Sequence, residues 1–292
     1  MSILITGATG TIGTQLLTQL HTTGFDIRAL TRTPATARLP TGVTPVGGDL
    51  AEPDSLRAAL DGVDTLFLLV ANVADELTQT LQALHLAQAA RLKGIVYFSV
   101  QKSDEFADVP HFAAKATAER MIDSLDLPAT ILRPAYFIQN DRRLQQSLLQ
   151  FGVYGMPVGT RGVSMVDIRD IAEAATIELR RRHLSAAPLP RELYTLVGPD
   201  ALTGPAIARL WSDALGRAIA YGGDDLAVME QRLKATMPGW HALDLRLMLN
   251  RYQTDGAIAT EAELTRLTTL LGHPPRSYRS MATDAARQWT QP

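Results

Sequence analysis

The sequence contains no cysteine in its 292 residues. That excludes disulfide staples, thiolate nucleophiles and cysteine-ligated zinc or iron–sulfur centres. It has little excess charge of either sign: 28 Lys and Arg against 30 Asp and Glu leave a net charge of -2, too small for the field that gathers nucleic acid or an anionic membrane surface. Its longest nearly continuous apolar run, Leu66 to Ala74, is too short to span a bilayer. Neither a nucleic-acid partner nor a membrane is therefore expected. Met1 to Ile5 runs straight into a strand pattern, which reads as the absence of a signal peptide and fits a cytoplasmic location. His21, His85, His183, His241 and His273 are scattered. Zinc-protease pairs, Walker lysine loops, nucleophile elbows and calcium loops are absent, so no metal is expected.

What is present is an alternation. Ile3–Ile5, Ile27–Thr31, Val43–Val46, Asp64–Val70, Ile95–Ser99 and Ala129–Leu132 read as strands. Between them lie helical stripes: Ile12, Leu16, Leu17 and Leu20; Pro53–Leu60; Leu77, Leu81 and Leu84; and His111–Leu125. Pro45 places the third strand near a sheet edge. Short strand–helix links imply right-handed crossovers and a parallel, doubly wound α/β sheet whose ligand crevice lies at the carboxyl ends of the strands. Beyond Pro134 helices dominate: 167–182 with Asp167 as N-cap, then 205–215, 226–235, 243–252 and 261–271, the last with a Thr260/Glu263 capping box. Leu193–Val197 reads as a late strand, and the basic run Arg180–His183 as a helix end complementing its dipole. The organisation expected is a Rossmann-type domain over 1–135, revisited at about 163–198. A smaller, mostly helical substrate-binding lobe takes 136–162 and 199–292.

The strongest motif is Gly7-Ala8-Thr9-Gly10-Thr11-Ile12-Gly13, set between the first strand and the first helix. Such glycines allow a tight turn, close approach to a pyrophosphate and close helix–strand packing, and the helix start aims free amides at the phosphates. Gly7, Thr9, Gly10, Thr11, Ile12 and Gly13 are thus candidate dinucleotide ligands. No carboxylate occurs from Ala29 to Ala35, where an NAD-preferring site places one on the ribose; Arg32 stands there instead, suited to a 2′-phosphate. NADP(H) is expected ahead of NAD(H). Asp49 follows the third strand and either meets the adenine or serves its Gly47-Gly48-Asp49 turn. Leu69, Val70 and Ala71 follow the fourth strand and are expected along the cofactor.

With these segments the chain resembles the NmrA-like group of atypical short-chain dehydrogenases over nearly its whole length. The resemblance rests on the glycine motif, Ala29-Leu30-Thr31-Arg32, His111-Phe112-Ala113-Ala114-Lys115 with Glu119, and Leu132-Arg133-Pro134-Ala135-Tyr136-Phe137 with Asn140. It continues in Val166-Asp167-Ile168-Arg169-Asp170-Ile171-Ala172 and in the tail Leu271-Gly272-His273-Pro274-Pro275-Arg276-Ser277-Tyr278. Short-chain dehydrogenases pair a Tyr with a Lys four residues later and a Ser on the preceding strand's end. The resemblance therefore assigns Lys115 to the nicotinamide ribose and Ser99 to the serine position, while His111 stands where the Tyr would be. His111 is a candidate proton donor, since imidazole titrates near neutrality, or a structural residue. Tyr136, beside Pro134 where the resemblance places the nicotinamide, is a competing donor or a pocket wall.

The expected function is an NADPH-dependent oxidoreductase acting on a small apolar carbonyl, quinone, imine or activated alkene. The alternative is a non-catalytic NAD(P) sensor that binds a protein partner. Monomer and homodimer are both compatible with the sequence. Met229, Met237, Trp240, Leu245 and Met248 read as core of the second lobe, or as an apolar lining of the cleft.

Overall fold

The computed structural model describes residues 2–290. Chain order is β1 (Ser2–Ile5), α1 (Thr11–Leu20), β2 (Asp26–Thr31), β3 (Val43–Gly47), α2 (Pro53–Ala59), β4 (Val63–Leu68), α3 (Glu76–Ala89), β5 (Gly94–Phe98), α4 (Pro110–Ser124), β6 (Ala129–Pro134), β7 (Val153–Tyr154), α5 (Ile168–Leu184), β8 (Glu192–Leu196), α6 (Gly204–Leu215), β9 (Ala220–Tyr221), α7 (Leu226–Lys234), α8 (Gly239–Thr254), α9 (Glu261–Leu271) and α10 (Tyr278–Thr290).

Seven strands form one sheet in the order β3-β2-β1-β4-β5-β6-β8. The pairs from β3 through β6 are parallel. β1 and β5 are buried along their whole length, as strands covered on both faces must be, and that is why Ile3–Ile5 and Ile95–Phe98 are apolar runs rather than alternations. β3 is the edge strand, which tolerates the missing amide of Pro45. Leu4, Leu66, Leu68 and Tyr97 pack with Leu84, Ala87 and Ile122 of the helices into a core. The strand order reverses between β1 and β4, and such a switch opens a crevice at the carboxyl ends of the two strands.

The described residues divide into two compact units, one of 2–107, 111–133 and 171–194, the other of 108–110, 134–170 and 195–290. In the first, the basic end of α5 does more than face a dipole. Arg182 is fully buried: its Nε donates to Thr130 Oγ1 at 2.7 Å and its terminal nitrogens to the carbonyls of Leu189 and Pro190. Burial, then the neighbouring Arg181, lowers its pKa to about 10. Arg181 pairs with Glu178, and His183 Nδ1 lies 2.9 Å from Asp64. The run is a set of fastenings for the α5–β8 link.

In the second unit, β7 and β9 form a short parallel pair. The capping box closes as the sequence reads: Glu263 N donates to Thr260 Oγ1, and Thr260 N donates to Glu263 Oε2. Asp167 Oδ1 accepts the Arg169 amide at the start of α5. Of the five large apolar residues read as core, only Met248 is buried; Trp240 is 42% exposed and stacks on His241. No helix among the described residues is long and apolar enough to cross a membrane.

Candidate functional site

The first unit's switch point holds the glycine motif. Gly7 turns the chain with φ of +61°, a left-handed conformation that glycine adopts without a Cβ penalty. A Cβ there would also lie 2.7 Å from Leu69 Cδ2, at the end of β4. Thr6 binds the two strand ends together, its hydroxyl donating to Leu69 O and accepting from Leu69 N, each at 2.8 Å. Helix α1 then begins at Gly10 with no side-chain cap and no acidic residue in its first turn. Its opening amides, which no helix can pair internally, remain aimed outward with the positive end of the dipole. Ile12 and Gly13 are buried, so their contribution to a ligand is limited to the main chain.

A cleft of about 540 Å³ opens over this turn. Gly7, Thr9, Gly10, Arg32, Asp49, Leu69 and Ala71 line it, seven of the residues proposed from sequence. Val70 does not: it is 4% exposed and packs into the core. Thr33, Gly48, Leu50, Val73 and Gln79 line it as well. Gln79 belongs to the second turn of α3, and the signal for it was the position of that helix directly after β4. Asp49 lines the cleft, and its Oδ1 accepts the Ala51 amide in a local turn. Arg32 is exposed and carries no ion pair or hydrogen bond to the described residues. A guanidinium and the glycine turn at a helix start thus line the same cleft.

Lys115 and His111 lie one turn apart on α4, with His111 half-buried and its ring edge-on to Phe112 at 4.6 Å. Lys115 is 6% exposed. Its Nζ donates to Phe98 O at 3.0 Å, lies 2.7 Å from Glu76 Oε1 and sits 5.6 Å above the centroid of Tyr97. Burial, and then the charges of Glu76 and Glu119, hold the Tyr97 phenol well above its ordinary range, so Tyr97 is a neutral floor under the ammonium. Ser99 is also buried, but its hydroxyl donates to Glu119 Oε1, which takes Ser103 Oγ and Arg133 Nε in addition. Arg133 reaches on to Asp104. The serine position therefore serves a buried carboxylate–guanidinium cluster, and the Glu119 of the family motif is that cluster's centre. Sequence reasoning missed Glu76 because nothing in the α3 pattern separates it from an ordinary first-turn acid.

Pro134 and Tyr136 fall in the second unit. Tyr136 is edge-on to Tyr252 at 6.4 Å, and its hydroxyl donates to Asp141 Oδ1 at 3.3 Å. Asp141 is fully buried and takes two further hydroxyls on Oδ2, Tyr154 at 2.9 Å and Tyr278 at 2.6 Å. Trp211 Nε1 donates to Tyr278 in turn. The tail motif is explained here: Tyr278 completes the Asp141 cluster, and two positions earlier Arg276 grips Asp170 through backbone and side chain. Burial and the Asp141 charge push the Tyr136 phenol well above its usual pKa, which makes it a weak acid.

Comparison with known proteins follows the same lines. An NAD(P)H azoreductase of Xenophilus azovorans is 32% identical over 242 residues, covering 81% of this chain and 80% of the relative. The structure of an NADPH-dependent quinone oxidoreductase from Escherichia coli, complexed with NADPH, superposes with a TM-score of 0.81 at 24% identity, covering 97% of this chain and 99% of that one. A negative transcriptional regulator, Nmra, superposes with a TM-score of 0.72 at 18% identity, covering 99% and 91%. The sequence matches the NmrA-like family over residues 1–270, and with a Rossmann-type sheet beneath that match the chain belongs to the NmrA-like family.

Proposed function

We propose that this chain is an NADPH-dependent oxidoreductase that delivers hydride to a small apolar acceptor, a quinone, imine, carbonyl or activated alkene. The observation that carries the reading is the uncapped start of α1 beneath a glycine turn at the sheet's switch point, with Arg32, unpaired among the described residues, at the end of β2. Bound there, NADPH supplies the hydride, and the protein's part is orientation and electrostatics. The α1 amides hold the diphosphate, Arg32 the 2′-phosphate and Lys115 the ribose of the nicotinamide. The azoreductase relative uses NAD(P)H by its name, and the bacterial neighbour was solved with NADPH. His111 lies one turn before Lys115 on α4, as Glu119 lies one turn after it, and His111 is the candidate proton donor of the pair because Glu119 is committed to Ser99 and Arg133. Ser99, committed to Glu119, acts through that cluster and not on substrate.

An acceptor such as a quinone needs little acid catalysis, which suits a site without the usual Tyr. Steady-state loss of NADPH against a panel of quinone, azo dye, imine and enone tests the reading. Arg32→Ala should weaken NADPH by about 1.5–3 kcal/mol, the range for hydrogen bonds to a charged group, or about ten- to a hundredfold. NADH should be unaffected, and equal losses for both would remove the 2′-phosphate assignment. His111 in the Tyr position favours a second reading, a dinucleotide sensor. Tight NADPH binding with no turnover of any acceptor would select it.

A further inference from the structure

We infer that Glu76 is the positioning residue of Lys115, holding its ammonium by charge so that N–H directions remain for the ligand. The inference rests on the reading of the first unit as an NADP(H) site. Glu76 opens α3, directly after the carboxyl end of β4, and is 4% exposed. A carboxylate that far from water needs a partner. Its Oε1 has one among the described residues, the charge of Lys115 Nζ at 2.7 Å, an ion pair whose angles do not make a hydrogen bond. The burial of Glu76 thus has Lys115 as its single electrostatic justification.

The converse holds for the lysine. An ammonium has three donors and sits on a flexible stem. One donor goes to the Phe98 carbonyl at the end of β5, and Glu76 Oε1 lies beside the ammonium as an ion-pair partner without taking a hydrogen bond. The Tyr97 ring lies beneath and offers a face but no strong acceptor. Nζ is therefore held by charge from α3 and by a hydrogen bond from β5 at once, and donor directions are left over. A lysine that must meet a sugar hydroxyl within hydrogen-bond distance gains from such fixing, because displacement of about 1 Å at a reacting centre costs about a hundredfold in rate. The two residues are far apart in sequence and on different helices, so a chance surface pairing does not account for them.

The test is a double-mutant cycle on the full chain. NADPH affinity, from its fluorescence titration, and kcat and KM for NADPH with a fixed acceptor are read for wild type, Glu76→Gln, Glu76→Ala, Lys115→Ala and the two Glu76 changes combined with Lys115→Ala. Glu76→Ala should weaken NADPH and raise its KM by about tenfold or more, the order expected for a mispositioned group. Glu76→Gln, which keeps an acceptor, should fall between. With Lys115 already replaced, neither change at Glu76 should shift the affinity by more than about twofold, since the coupling has gone. Equal losses in both backgrounds, or none in either, overturn the proposal. If Glu76→Ala leaves a lone buried ammonium and fails to fold, Glu76→Gln, which keeps an oxygen there though not the charge, and the combined variants, which bury no ammonium at this position, still give the comparison. Absence of a saturable NADPH signal from folded wild type would instead strike the cofactor reading on which the proposal rests.

Discussion

Replacing Gly13 by Ala is expected to weaken NADPH binding by at least about a hundredfold, or about 2.8 kcal/mol, and to lower the melting temperature. The reason is steric and local. A Cβ at position 13 would lie 2.2 Å from Gly7 O, 2.6 Å from Ala8 Cα and 2.8 Å from Ala8 C. All three are main-chain atoms of the phosphate turn, so no side-chain rotation relieves the overlap. Gly7 O is in addition the acceptor for the Gly10 amide at 3.0 Å, the bond that closes the turn. The chain must either lift α1 from the end of β1 or unwind the turn, and both move the amides that would meet the diphosphate. Overpacking of this kind costs about 1–3 kcal/mol of stability. Gly10→Ala is the internal comparison: its Cβ would meet only Gly7 O, at 3.3 Å, and a much smaller loss is expected. Parallel NADPH titrations and melts of the two variants decide the matter. Gly13→Ala binding within about threefold of wild type would remove the turn from the cofactor site.

That turn was legible in the sequence because all its determinants are local. Spacing of three glycines, an apolar run before them and a helical stripe after them lie within about 20 residues. Pro45 likewise announced an edge strand through its own missing amide. What was illegible depends on contacts between distant segments. Nothing near Glu76 marks it as the partner of Lys115, and Ser99 read as a catalytic hydroxyl until the fold put Glu119 against it. Arg182 looked like an exposed helix-end cation, yet Thr130 and two carbonyls of the following loop enclose it. Helix α10 escaped notice since its buried face is Tyr278, Met281, Ala282, Ala285 and Ala286, too rich in alanine to stand out as an apolar stripe. The resemblance to a family anticipated fold and cofactor class; its motifs contained Tyr136 and Tyr278, but that Asp141 draws these two and Tyr154 together was visible only in the fold.

Asp141→Asn is expected to flatten the pH dependence of stability between about pH 4 and pH 7. Burial raises the Asp141 carboxyl from its usual 3.8 to about 6, against the opposing pull of hydroxyl donation from Tyr278, Tyr154 and Tyr136. The folded chain therefore binds this proton more tightly than the unfolded chain does. Its stabilising contribution is complete below pH 4 and is lost as pH rises through 6, opposite in sign to that of an ordinary salt-bridged carboxylate. At 1.36 kcal/mol per pKa unit, the ionised carboxylate at pH 7.5 leaves the fold about 3 kcal/mol short of what the protonated group provides. Asparagine keeps the shape and an acceptor oxygen for the tyrosines but does not titrate. Urea unfolding of both proteins at pH 4.5, 5.5, 6.5 and 7.5 isolates the group, because every other carboxylate is common to both. Wild type should gain on the variant steadily as pH falls, with most of the change centred between pH 4.5 and 6.5. A difference between the two proteins that stays constant across the series would mean that Asp141 ionises in the fold as easily as in the open chain, and that water rather than three tyrosines surrounds it.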